Sequence, residues 1–287
     1  MARENFAILY GQVRTKPRLG INNEGVEVSA ILYIKVMRRP TNGQGFDSKL
    51  YVDLPPIRTR NPEMISKIRE LEQGDMIMVC GPFTTREIHK RSICKHCGNE
   101  NLSEGNVAYI TPMYIRKEEP KQDDAEGIAL LKANTEISNR VTIIGNVCRE
   151  PRFYEDANHK TYAQYQIAVN RRYRIHEDPD DVKTDYPWIK TFGRQATEDS
   201  KCLDIGSSVY ITGAVQTRDI ERKTMCSHCS GEYEWNESVM EIVPYYIGYL
   251  ANCNVSNEDA ETSEVESLGL ANVDLNQGEG YGEEISS

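Results

Sequence analysis

The sequence predicts an all-β protein built as two tandem five-stranded barrels, each with one short helix, followed by an acidic tail. Three observations carry this expectation. The first half of the 287-residue chain recurs in the second. Each copy shows short β-like runs bounded by turn residues, with one helical signal among them. Residues 251–287 hold nine acids and no base.

The repeat runs at an offset that falls from 134 to 132 residues. Asn5, Gly11 and Pro17 are answered by Asn139, Gly145 and Pro151, and Ala30, Ile34, Val36, Arg38 and Arg39 by Ala163, Ile167, Val169, Arg171 and Arg172. Gly74 to Gly81 aligns with Gly206 to Gly213, Thr85-Arg86 with Thr217-Arg218, and Ile110 to Ile115 with Ile242 to Ile247. So many matches at nearly fixed spacing mark a tandem duplication. The boundaries predicted are a divergent first domain over 1–117, an acidic linker over 118–134, a second domain over 135–250 and a disordered tail over 251–287. The linker reading rests on the polar run from Lys117 to Glu126, broken by Pro120.

Within the first copy the strand-like runs are Phe6–Val13, Val28–Met37, Leu50–Leu54, Met76–Gly81 and Val107–Ile115. Asn61-Pro62 reads as a cap and a first-turn proline. Ile65, Ile68 and Leu71 follow at helical spacing, and Gly74 stops the helix. A shorter helix is expected between Ala196 and Ile205. Five strands with a helix between the third and fourth is the element order of an OB barrel, whose strand 2–3 face and connecting loops take oligonucleotides or oligosaccharides. Pro112 and Pro244 fall in the last strand, where an edge or a bulge must accommodate them.

The net charge of −10 argues at first against a nucleic-acid ligand, because phosphates need Lys and Arg. Removing the tail's nine acids leaves 34 bases against 35 acids, a nearly neutral body. No apolar run approaches the roughly 18 residues of a membrane span, and the N-terminal residues are no secretory signal. A cytoplasmic protein without membrane contact is expected.

The second copy resembles the bacterial single-stranded DNA-binding protein (SSB) family. The motifs that carry the resemblance are Asn139-Arg-Val-Thr-Ile-Ile-Gly145 with Pro151, Ala168-Val-Asn-Arg171, Trp188-Ile-Lys-Thr-Phe-Gly-Arg194, and Gly206 through Gly213 to Thr217-Arg218. It covers about residues 138–250 and extends more weakly, through the repeat, to 4–116. What it implies is an OB fold, sequence-tolerant binding of single-stranded DNA, no catalysis, and work in replication, recombination or repair at the nucleoid. It also implies base stacking by Tyr173, Tyr186 and Phe192 and a strand 4–5 contact near Arg218, where Ile220 replaces an aromatic. In that family the tail's acidic tip recruits replication and repair proteins. This tail ends Gly-Glu-Glu-Ile-Ser-Ser, which suits a phage, plasmid or mobile-element protein with partners of its own.

The residues themselves agree. A single strand offers base faces for stacking and phosphates for pairing, so its binder interleaves aromatics with Arg and Lys. Arg171-Arg172-Tyr173-Arg174 does so at the end of strand 2. Tyr186, Trp188, Lys190, Phe192 and Arg194 alternate by two, which places them on one face of strand 3. The plain alternative is that some of these rings, Trp188 and Phe192 first among them, are core. The first copy keeps Arg38, Arg39, Tyr51 and Arg86 but has Leu54-Pro-Pro-Ile57 in place of the Trp-to-Phe segment. It reads either as a charge-led binder or as a barrel kept to complete a pair; two barrels per chain either stand alone or form a homodimer of four. Competing readings are an RNA-binding or primosome-accessory protein, a protein-interaction scaffold, and an enzyme, for which no catalytic motif speaks.

Eight cysteines without a secretory signal argue against a disulfide framework. Four form two Cys-x-His-Cys knuckles, Cys94/Cys97 and Cys226/Cys229, in the predicted strand 4–5 hairpins. A structural Zn²⁺ takes four tetrahedral ligands, so each knuckle is half a site. The preferred expectation is that the halves meet in one four-cysteine zinc site clamping the barrels. Two sites completed by another chain, by Glu or by His96 and His228, and two unmetallated thiol pairs, are the alternatives.

Overall fold

A continuous apolar run forms the first strand, β1 (Asn5–Val13), whose faces alternate in burial at its start, with Ala7 and Leu9 fully buried and Phe6 and Ile8 half-buried. A computed structural model describes residues 4–39, 51–155, 160–171, 175 and 184–254. The first barrel continues through β2 (Arg18–Ile21), β3 (Glu27–Met37), β4 (Val52–Asp53), β5 (Pro56–Thr59), helix α1 (Pro62–Arg69), β6 (Met76–Gly81), β7 (Phe83–Ile93), β8 (Glu100–Ile110) and β9 (Tyr114–Glu119). β1 pairs antiparallel with β3 and β6, β3 with β5, and β6 with β9. A parallel contact of β5 with β8 at Ile57 and Ile110 closes the ring. α1 is capped as expected: the Asn61 side chain accepts from the backbone N–H groups of Glu63 and Met64, and Ile65 and Ile68 are buried.

The second barrel repeats this order. It comprises β10 (Arg140–Val147), β11 (Arg152–Glu155), β12 (Thr161–Asn170), β13 (Thr184–Asp185), β14 (Trp188–Phe192), helix α4 (Gly193–Cys202), β15 (Ser208–Met225) and β16 (Glu232–Ala251). β10 pairs with β12 and β15, and β14 meets β16 in parallel at Ile189 and Ile242. The two topologies are the same, which is the all-β tandem OB architecture. α4 starts directly after Phe192, three residues ahead of the expected position. The repeated prolines are handled differently. Pro112 interrupts the strand between β8 and β9, whereas Pro244 stays in β16 beside a register shift opposite Thr212 and Gly213. Gly81 and its repeat mate Gly213 have one cause: a Cβ would fall 1.9 Å from the Thr111 carbonyl oxygen and 2.4 Å from that of Val243.

The segment read as an acidic linker is folded instead. Asp123 caps α2 (Asp124–Ala133) in a capping box with Glu126, and α3 (Thr135–Ser138) follows. Leu131 is fully buried with Tyr10, Met37 and Met76. The buried Ser138 hydroxyl donates to the Tyr10 carbonyl and accepts from the Met37 N–H. The polar run that suggested a linker ends at Glu126; Ile128, Leu130 and Leu131 behind it supply the apolar contact. The described residues up to Cys253 form one contact unit. From 255 onward the tail lies outside the described residues.

Three of the contacts that join the barrels start from β1, β4 and β13. β1 pairs antiparallel with β10, matching Asn5 with Ile143 and Ala7 with Val141, so one sheet crosses both. The other two are reciprocal. Asp53 is bound by Arg38 (2.6 Å) and accepts from the Thr217 N–H (2.7 Å), while the Leu54 N–H donates to the Thr217 hydroxyl (2.8 Å). Asp185 is bound by both edges of Arg171 (2.6 and 2.7 Å) and accepts from the Thr85 N–H (2.8 Å), while the Tyr186 N–H donates to the Thr85 hydroxyl (2.8 Å). Each barrel's strand 3 thus holds the root of the other's hairpin.

Removing one partner of a buried ion pair leaves the other charge uncompensated, typically at about 3–5 kcal/mol. Asp185→Ala is therefore expected to lower stability by about that amount in urea unfolding, with the same m-value if folding stays two-state.

Candidate nucleic-acid interface and cysteine cluster

On β14, Ile189 and Thr191 point into the barrel, and Trp188, Lys190 and Phe192 point out. Pairing across the sheet sets Tyr154 opposite Tyr162 and Tyr162 opposite Phe192, so three aromatics lie in a row over β11, β12 and β14. The Tyr154 and Tyr162 rings stack at 4.7 Å with 15° between planes. The Lys190 ammonium stands 4.9 Å from the Tyr162 ring centre and 5.4 Å from that of Phe192. Phe192 is 48% exposed, so it is surface and not core. The next row sets Arg152, Gln164 and Lys190 side by side, and Arg149 lies 5.9 Å over Trp188, which is half-buried. Among the described residues Arg149, Arg152 and Lys190 have no carboxylate partner. Burial holds the Lys190 ammonium below its ordinary pKa; Arg218 adds to the shift and Glu241 opposes it.

Several expected contact residues lie elsewhere. Arg171, 4% exposed, is spent on Asp185, and Arg38, 13% exposed, on Asp53; neither guanidinium faces a ligand surface. Arg194 is not on strand 3: it opens α4 and pairs with Glu198 one turn on. Arg218 is fixed on the buried Glu241 by two bonds of 2.8 and 3.2 Å. Arg39 belongs to the joint between barrels, bonded to Glu136 at 2.9 Å and stacked 4.6 Å over Tyr245, whose hydroxyl accepts from the Arg39 N–H. Tyr51 is half-buried beneath Arg38 and packs toward Met37 and Met76. Arg86 is half-buried in β7, and Tyr186 is 46% exposed at the junction with the first barrel. Arg172, Tyr173 and Arg174 lie outside the described residues.

The sequence reading missed Tyr154, Tyr162, Arg149 and Arg152. A signal existed. Tyr154 and Tyr162 are equidistant from the turn between β11 and β12, so antiparallel pairing about that turn must bring them together. The first barrel has no such row: β2 and β3 set Gly20 opposite Ser29 there, and its next row is Arg18, Ile31 and Arg58.

The long hairpins β7–β8 and β15–β16 carry the two knuckles and meet at their tips. The four sulfurs of Cys94, Cys97, Cys226 and Cys229 lie within 4.8 Å of one another. Two approaches cross between hairpins, Cys94 to Cys229 at 3.8 Å and Cys97 to Cys226 at 3.6 Å. Four sulfurs about 2.3 Å from a tetrahedral zinc stand about 3.8 Å apart, so the donor set fits that ion. The backbone N–H of His96 points to the Cys94 sulfur and that of His228 to the Cys226 sulfur, each at 3.4 Å. The His96 ring turns to the Glu232 carbonyl (2.8 Å) and leaves the cluster to sulfur alone.

Burial works to raise the Cys226 thiol, but bonds from Asn101 and from the N–H groups of Cys229 and His228 outweigh it and hold it at about 6. The Gly231 N–H lowers the Cys229 thiol, but burial and the three other sulfurs outweigh it and push Cys229 up to about 12. Around the cluster, Tyr233 and Trp235 pack on Cys94 and Cys226, and Asn101 accepts from the Ser227 N–H and hydroxyl, both at 2.9 Å. Farther down the arms, Lys90 of one hairpin and Arg222 of the other share Glu237.

Residues 138–235 match the Single-strand binding protein family. A curated relative, the single-stranded DNA-binding protein of Staphylococcus epidermidis, is 32% identical over 85 residues, which cover 30% of this chain and 63% of the relative. Among solved structures, the wild-type single-stranded DNA binding protein from Thermus aquaticus superposes with a TM-score of 0.55 at 15% identity, covering 89% of this chain and 97% of that one. A deletion variant of the same Thermus protein gives 0.54 at 16%, covering 88% and 97%. At such identity the likeness is one of fold, and it extends over both barrels. The second barrel, residues 138–235, is thus similar to the single-strand binding protein family, and the chain as a whole has the all-β tandem OB fold of those solved structures.

Proposed function

We propose that this protein binds single-stranded DNA without sequence preference and without catalysis, in replication, recombination or repair. The observation that carries the reading is the row Tyr154, Tyr162 and Phe192 with Lys190 and Arg152 beside it. Every base has a face that stacks, so such a row holds a strand without reading its sequence, and the adjacent cations pair with phosphates. The described residues contain no helix long and apolar enough to cross a membrane. The acidic tail competes with DNA for the same cations and offers a site for replication or recombination proteins. A zinc ion held by Cys94, Cys97, Cys226 and Cys229 has a structural part here: it neutralises thiolates that otherwise repel one another and ties the hairpin tips.

Titration with oligo-dT, followed by intrinsic fluorescence at several salt concentrations, tests the reading. Phe192→Ala and Tyr154→Ala are each expected to weaken binding by about 1–3 kcal/mol, while no quenching by wild type at low salt refutes it. Deleting residues 255–287 is expected to tighten binding most at low salt, where the tail's acids are least screened. Metal analysis of the purified chain is expected to give one zinc per molecule, lost in Cys94→Ser and in Cys226→Ser alike. Two zincs per chain mean separate sites, and none means free thiols.

A further inference from the structure

Each knuckle has one covered and one open thiol: Cys94 and Cys226 are 1% and 2% exposed, whereas Cys97 and Cys229 stand at the surface. The contacts between hairpins join unlike members, covered Cys94 with open Cys229 at 3.8 Å and open Cys97 with covered Cys226 at 3.6 Å. We infer that the cluster is a reversible oxidation site for a hydroperoxide, which converts the four thiols into two disulfides that cross between the hairpins, Cys94–Cys229 and Cys97–Cys226. The inference rests on the convergence of the four cysteines described above, and neither on a bound metal nor on a bound strand.

Three observations support it. The open sulfurs are the ones an oxidant from solvent reaches, while Tyr233 and Trp235 pack on the covered pair. Attack of the Cys97 thiolate on a peroxide oxygen breaks the O–O bond; a sulfenic acid forms on Cys97, and the departing oxygen takes up a proton and leaves as an alcohol or water. The Cys226 thiolate then attacks the Cys97 sulfur, the S–S bond forms, the S–O bond breaks, and hydroxide leaves with a second proton as water. Cys229 and Cys94 follow the same course, so two peroxides oxidise four thiolates to two disulfides, and a zinc ion held there leaves as Zn²⁺. A covered thiol behind each open one intercepts the sulfenic acid before it is oxidised further.

The tips are also set against each other by bonds that need no metal. The His96 ring is bonded to the Glu232 carbonyl (2.8 Å), Asn101 accepts from the Ser227 N–H and hydroxyl (both 2.9 Å), and the Ser92 and Tyr233 hydroxyls meet at 2.6 Å. The sulfurs therefore stay in reach, and closing each pair to a disulfide of about 2.05 Å takes a movement of about 2 Å or less. The third observation is the separation along the chain, 135 residues for Cys94 and Cys229 and 129 for Cys97 and Cys226. Disulfides that close such long loops restrict the unfolded chain strongly, whereas a pair within one knuckle restricts it little. Zinc and the crossing disulfides thus hold the tips at the same place, and oxidative loss of the metal leaves the hairpins tied.

The test uses the full purified chain, as isolated and after treatment with a chelator, and hydrogen peroxide as the oxidant. The remaining thiols are alkylated in denaturant, and the chain is digested without reductant and read by mass spectrometry. Two cross-linked peptide pairs are expected in both preparations, Cys94 with Cys229 and Cys97 with Cys226, and both are expected to disappear on adding a thiol reductant. In the chelated chain, oxidation is expected to raise the urea midpoint by about 1 M, the effect of closing two long loops. In Cys97→Ser only the Cys94–Cys229 pair is expected, with Cys226 left open to alkylation. Disulfides within a knuckle, Cys94 with Cys97 or Cys226 with Cys229, overturn the inference, as does an unchanged urea midpoint. Oxidation of Cys80, Cys148, Cys202 or Cys253 ahead of the cluster, or sulfinic acids on Cys97 and Cys229 in place of disulfides, overturns it as well. Metal analysis and oligo-dT titration of the same samples keep the failures apart: absence of zinc or of quenching refutes those readings, while the disulfide map and the urea midpoint alone decide this one.

Discussion

Two buried aspartates hold the arrangement together. Asp53 and Asp185 each sit at the start of a third strand, and each reaches across to the backbone N–H at the root of the opposite hairpin. Burial pushes the Asp53 carboxyl up from its ordinary pKa, with Arg38 and the Thr217 bonds pulling against it. A carboxylate in that setting is tolerable only while its partners stay in place, so the contact specifies one relative position of the barrels more than it adds stability. Everything beyond the junction depends on that position. The hairpins project toward one another, the groove between them acquires two walls, and the four cysteines converge.

The same constraint explains why the arginines divide as they do. Arg38 and Arg171 stand at the end of strand 2, where the sequence pattern and the family resemblance alike suggest contact with DNA. Their guanidiniums are the counter-charges of Asp53 and Asp185 and have no surface left to offer. Arg218 is bonded to Glu241 as well, but it stays 34% exposed beside the groove between the hairpins. Among the described residues, Arg149, Arg152, Lys190 and Arg58 on the outer sheet face carry no carboxylate partner. Three of them, Arg149, Lys190 and Arg58, lie over an aromatic ring. An ammonium or guanidinium over a ring is oriented without being neutralised, which is the condition for binding a phosphate next to a stacked base.

The cysteine cluster shows a different economy. Each knuckle repeats one local geometry, a turn with N–H groups aimed at sulfur, and neither holds four ligands. Duplication of the chain supplies the second pair, and the aspartate junction sets the spacing. The four sulfurs come together only in the complete tandem, because each barrel supplies two of them.

Much of this was determined by the sequence alone. The β-like run Phe6–Val13, the alternation in Trp188–Phe192, the Asn61-Pro62 cap and the matched glycines are local signals, and the strands, α1 and the duplication follow from them. The knuckles announced half-sites for the same reason. What only the tertiary structure decided depends on partners far apart in the chain. The row of Tyr154, Tyr162 and Phe192 comes from strand register, the burial of Leu131 from a surface on β1, β3 and β6, and the withdrawal of Arg38 and Arg171 from aspartates fourteen or fifteen residues on. A residue's type limits what it can bind; which neighbour takes up its charge or covers its ring is settled when distant strands pair, and that choice separated the arginines paired with buried aspartates from those that stay on the sheet surface.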